Sequence, residues 1–177
     1  MNLNIGSSNP EGKYRSSNWI NIDNGGSVFT GNVYKIDALE MPEEWTNYFD
    51  EVHAVHVLEH VNRNKRFDFV AACRRILKMG AVLYLEVPDF EQVIRNLLSA
   101  IDSGNHGEEH RMVTSVFGKQ RYAGDAHHWG FTSRTLAELA KKANFSSVEV
   151  FRSIHGTDNM ISQHYIQEPV LLLKAKK

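Results

Sequence analysis

Leu3-Asn4-Ile5-Gly6-Ser7-Ser8 and Trp19-Ile20-Asn21-Ile22-Asp23 decide how this chain is read. Two apolar, strand-like runs flank a small-residue turn and a polar loop over residues 9–18, which contains Pro10 and Gly12. A strand, a turn without bulky side chains, and an acid closing the next strand together form a nucleotide pocket. The turn lets backbone approach the ligand, and the carboxylate accepts hydrogen bonds from two ribose hydroxyls. The turn is not a full Gly-x-Gly-x-x-Gly, so its weight depends on the residues that follow.

Downstream, apolar runs and helical spacings alternate. A strand is expected at 33–36, ending at Asp37, and Pro42-Glu43-Glu44 is a helix-start pattern. A strand at 51–56 ends at His56, with a turn or short helix after it. Phe67, Val70, Ala71, Arg74 and Leu77 share one helical face, and Gly80 stops that helix. Residues 82–87 form a strongly apolar strand closed by Pro88-Asp89, and 90–100 is helical. Thr132 caps a further helix running to Ala143, and strands are expected at 147–151 and 170–174. This order predicts an α/β fold: a Rossmann-like open, mostly parallel sheet with helices on both faces and a C-terminal antiparallel strand pair. Residues 1–177 read as one domain, with a lid or substrate-side insertion at about 91–130. Within it, 106–130 is polar and histidine-rich without helical period, and Gly104 and Gly107 argue against a helix.

Composition narrows the function. A net charge of -1 argues against a strong electrostatic grip on nucleic acid and leaves room only for a local basic patch. No run of about 18 apolar residues is present to span a membrane. The single cysteine, Cys73, rules out an internal disulfide and fits a reducing, cytoplasmic setting. It stands in the apolar context Val70-Ala71-Ala72-Cys73, where packing outweighs nucleophilic chemistry. The N-terminus has no basic-then-apolar signal and begins in strand-like sequence.

In open α/β sheets, ligands bind beyond the carboxyl ends of the strands. The strand ends here supply Gly6, Ser7, Ser8, Asp23, Asp37, His56 and Asp89, which points to one shared crevice. These residues, with His56-Val57-Leu58-Glu59-His60, Arg75-Ile76-Leu77-Lys78-Met79-Gly80-Ala81, Val87-Pro88-Asp89-Phe90 and Gly130-Phe131-Thr132, make the chain resemble class I S-adenosylmethionine-dependent methyltransferases. Among them it is most similar to small type-11-like predicted methyltransferases, from Leu3 to about Phe145. The resemblance implies a transferase that uses S-adenosylmethionine. It implies that Gly6, Ser7 and Ser8 pass under the amino-acid part of the cofactor and that Asp23 binds the ribose. It further implies that Asp37 lies near the adenine amino group with Ala38 beside the ring, and that His56 contacts the methionine portion. The acceptor is expected to be a small molecule or a glycan-type group. Ser8 stands where a second glycine is usual, and a polar loop replaces the usual first helix. These departures motivate an alternative, a catalytically inactive binding or assembly module of the same fold. An NAD-type domain is a third reading, opposed by the missing third glycine.

His60 and His128 are the candidate bases, because imidazole titrates near neutral pH. Each also has a structural reading, as a hydrogen-bonded histidine and as a lid residue packing on Trp129. No metal is expected. His106-Gly107-Glu108-Glu109-His110 has His-x-x-Glu-His spacing, but that motif needs a helix and a third ligand. A metal site joining His106, His110, His127 and His128 is a minor alternative. Arg111, Lys119, Arg121 and Arg134 are placed to attract an anionic substrate or to form a solvated surface.

Overall fold

A computed structural model describes residues 1–6, 10–25, 33–154 and 168–177. Its sheet has seven strands: β1 Asn2–Ile5, β2 Trp19–Asp23, β3 Val33–Lys35, β4 Phe49–Val55, β5 Leu77–Pro88, β6 Ser147–Ile154 and β7 Pro169–Lys176. The spatial order is β3-β2-β1-β4-β5-β7-β6. The first five strands in that order are parallel, and β7 runs antiparallel to both neighbours. The predicted sheet and its antiparallel pair are both present.

Side-chain alternation gives the sheet two unlike faces. Leu3, Ile5, Ile22, Val52, Ala54, Leu83 and Leu85 point to one of them. There they pack with Phe69, Val70, Cys73 and Ile76 of helix α1 (Arg66–Ile76). Leu136 and Ala140 of helix α4 (Ser133–Lys142) join the same core. Thr132 and Thr135 close a reciprocal capping box that starts α4 where the sequence places it.

The opposite face carries buried polar groups, Asn4, Asn21, His53 and Glu86. Asn4 donates to Asn21 Oδ1 at 3.0 Å. The loop at 10–18 supplies a 3₁₀ turn, Gly12–Arg15, whose Tyr14 stands over this face. Tyr14, Trp19, Tyr84 and His53 meet edge to face, with Trp19 and His53 centroids 4.7 Å apart. His53 has one tautomer that satisfies both ring nitrogens. The Tyr14 hydroxyl donates to Nδ1 at 3.0 Å, and Nε2–H donates to Glu51 at 3.2 Å. Burial, and then the Lys13 ammonium, hold its pKa down at about 3. A neutral histidine and one aromatic turn thus cover the surface where the sequence lacks a helix.

Two expectations are corrected. The helix expected at 67–78 ends at Ile76, and β5 begins at once at Leu77, because Leu77 pairs with Phe49 on β4. The segment read as non-helical contains helix α3, His106–Phe117, which packs on α2, Phe90–Ser103. The glycine signal was misassigned: Gly104, at φ 68°, is the left-handed C-cap of α2. Asn105 then caps α3 by accepting from the Glu108 N–H at 3.2 Å.

Candidate functional site

Strand order reverses between β1 and β4, since the chain passes outward from β1 to β2 and β3 and then returns to β4. Such a switch point leaves a crevice beyond the strand ends. A cavity of about 470 Å³ lies here, within the usual range for small-molecule sites of about 300–1,000 Å³.

Five of the cofactor residues expected from sequence line it together: Gly6, Asp23, Asp37, Ala38 and His56. Ser7 and Ser8 lie outside the described residues. Gly6 follows β1 with φ 79°, a conformation that glycine alone adopts without strain. Asp23 accepts from the Gly25 N–H at 2.9 Å, and Asp37 from the Leu39 N–H at 2.8 Å. These turns fix the direction of both carboxylates at successive strand ends.

His56 follows β4 and has φ 52°, unusual for a side chain with a β-carbon. Its backbone N–H bonds the Glu86 carbonyl at 2.9 Å. Its Nδ1 lies 3.1 Å from Glu59 Oε1 and its Nε2 3.5 Å from Glu86 Oε1. Burial would lower its pKa, but the two carboxylates outweigh it and raise the value to about 10. The two carboxylates thus favour the protonated ring. Glu59 is held in its charged form: burial opposes this, and the His56 hydrogen bond and charge, then His60 and His127, overcome it.

Of the two candidate bases, His60 lines the cavity. His128 is exposed, and its described contact is a backbone one, its N–H donating to the Glu59 carbonyl at 2.7 Å. The residue beside His60 is instead His127, with ring centroids 4.8 Å apart. Sequence reasoning singled out His127 only within a four-histidine group. The other members, His106 and His110 on α3 and His128, are exposed. The His-x-x-Glu-His stretch does lie on a helix. Even so, among the described residues the one group with metal-ligand spacing is Glu59, His60 and His127.

The loop from 118 to 130 reaches this site, and Tyr122, Ala123 and Gly124 line the cavity. Asp125 holds the loop through Arg121, whose Nε and Nη2 donate at 2.9 and 3.2 Å. The Arg121 side chain is the main cause that holds the Asp125 pKa at about 2. Arg121 and Arg111 are thus engaged with Asp125 and Glu108. Lys65 also lines the cavity, and the Arg66 guanidinium next to it in the chain lies 4.0 Å over the Trp129 ring.

No family model and no curated protein matches the chain. Solved structures do. A Thermotoga maritima protein described as a SAM-dependent methyltransferase and possible histamine N-methyltransferase aligns with a TM-score of 0.62 at 18% identity, over 99% of this chain and 81% of that one. A SAM-dependent methyltransferase from Archaeoglobus fulgidus gives 0.59 at 17% identity, over 99% and 85%. The Burkholderia thailandensis 1,6-didemethyltoxoflavin-N1-methyltransferase, solved with bound 1,6-didemethyltoxoflavin and S-adenosylhomocysteine, gives 0.58 at 12% identity, over 99% and 70%. The chain has the fold of class I S-adenosylmethionine-dependent methyltransferases.

Proposed function

We propose that this chain binds S-adenosylmethionine in the cavity at the β1/β4 switch point and transfers its methyl group to a small-molecule or glycan-type acceptor. One observation carries the reading: Gly6, Asp23 and Asp37, at the ends of three neighbouring strands, line a single cavity. The fold it shares with methyltransferases supports it. Gly6 would pass beneath the amino-acid part, Asp23 would accept from the ribose hydroxyls, and Asp37 and Ala38 would flank the adenine. His56 would lie beside the methionine part.

The chemistry asks little of the protein. A lone pair on the acceptor attacks the methyl carbon, the carbon–sulfur bond breaks, and its electrons stay on sulfur. The acceptor then loses its proton. Alignment of nucleophile, carbon and sulfur supplies much of the rate. The loop residues Tyr122–Gly124 close one side of the cavity, which gives the 91–130 segment its proposed part in acceptor binding. A cytoplasmic setting fits the lone buried Cys73, whose thiol burial pushes up to about 12. No helix among the described residues is long and apolar enough to cross a membrane.

Isothermal titration with S-adenosylhomocysteine tests the reading. One ligand per chain is expected, with NADH not competing. Absence of heat with millimolar ligand would overturn it.

A further inference from the structure

Glu59, His60 and His127 each turn a ligand atom into one small space, and those atoms lie within 4.8 Å of one another. Their hydrogen bonds fix what kind of atom each presents. His60 Nδ1 lies 3.1 Å from the Ala126 carbonyl, and His127 Nδ1 lies 2.8 Å from the Ser115 carbonyl. A carbonyl only accepts, so each Nδ1 carries the hydrogen. In the neutral rings the lone pair is then on Nε2. Backbone carbonyls holding the remote nitrogen are the usual way a protein orients metal-binding histidines.

Glu59 adds the third group. It is buried, with 1% of its surface exposed, and Oε1 is occupied by His56. Its Oε2 is buried and has no hydrogen-bond partner. A buried carboxylate oxygen left without a donor is costly. No donor is described at Oε2, which leaves it open to a cation.

We infer that Glu59, His60 and His127 form a divalent transition-metal site at the edge of the cavity. Two imidazoles and one carboxylate suit zinc or a similar ion, and three protein ligands leave a coordination position open. A bound ion would draw the ligand atoms closer than their present 4.8 Å limit, since zinc binds such ligands at about 2.0–2.2 Å. His60 also lines the cavity, so the open position lies beside the ligand space. On the methyl-transfer reading, that position takes the hydroxyl or amine of the acceptor and eases loss of its proton. His60 then acts as a ligand rather than as a free base.

Metal-stripped protein titrated with zinc, and separately with cobalt to read its visible absorption, tests the site without any cofactor present. One ion per chain is expected. His127→Ala and His60→Ala should each weaken binding at least about 100-fold, since loss of even an outer-shell partner costs about 10–100-fold. The paired change His106→Ala with His110→Ala should leave it intact. Circular dichroism identifies a variant that has not folded, and His127→Ala, at a half-buried position, serves if His60→Ala fails. Lack of one-to-one binding in the unaltered protein would overturn the inference, as would binding lost only in the His106/His110 variant. S-adenosylhomocysteine binding measured on the same stripped protein separates failure of the metal site from failure of the methyl-transfer reading.

Discussion

The β-carbon that Gly6 lacks would overlap Cγ2 of Val57, the residue that follows the strained His56. The turn after β1 and the turn after β4 therefore touch, and only a bare α-carbon permits it. Gly6→Ala meets two penalties, a left-handed φ worth about 1–2 kcal/mol and the displaced valine. Lower thermal stability and weaker S-adenosylhomocysteine binding are expected. Val57→Ala in the same protein should restore part of both. A Gly6→Ala protein as stable as the parent would show that the two turns do not meet in this way.

Asp23 faces the cavity from the end of β2. Hydrogen bonds to a charged group contribute about 1.5–3 kcal/mol each. Asp23→Ala should therefore raise the dissociation constant for S-adenosylhomocysteine by about tenfold to a hundredfold, measured by calorimetry. Circular dichroism should be unaltered. An unchanged affinity would remove the ribose role from this residue.

His53 makes stability depend on pH. Its folded pKa is held at about 3, against about 6.5 in an unfolded chain. A depressed value means that the unfolded state binds the proton first. The stabilisation is complete above about pH 6.5 and is lost as pH falls towards 3. Urea unfolding between pH 6.5 and 4.5 should show stability falling with a slope of at most about 1.4 kcal/mol per unit from this group. Asp50 and Asp125, held at about 2, add loss of the same sign only at lower pH. His53→Phe keeps a ring against Trp19 and Tyr84 and should flatten the slope even if it lowers stability overall. A slope equal to that of the parent would show that His53 is protonated in the folded chain.

Most of the sheet was legible because strand signals are local. Val52 and Ala54, or Leu83, Leu85 and Val87, announce a buried strand within a few residues. The strand-end acids Asp23 and Asp37 were legible for the same reason, each following an apolar run and entering a turn. Helix α3 was not legible, because Gly104 serves one helix as a terminator while Asn105 starts the next. Sequence spacing shows a break there and not a change of partner. Imidazole chemistry alone does not separate His128 from its neighbour; the loop's path turns His127 inward and leaves His128 exposed.

By itself the sequence determined the alternation of elements, the antiparallel end of the sheet and the chemistry waiting at the strand ends. These follow from periodicity and turn chemistry, which act over a few residues. Tertiary structure alone decided which ends share a cavity, because that depends on β4 returning beside β1. It also decided that His56 lies between Glu59 and Glu86, and that His127 meets His60. Those properties arise from burial and from carbonyl oxygens supplied by distant segments, Ser115 and Ala126 among them. A one-dimensional pattern carries no record of which lone pairs will converge.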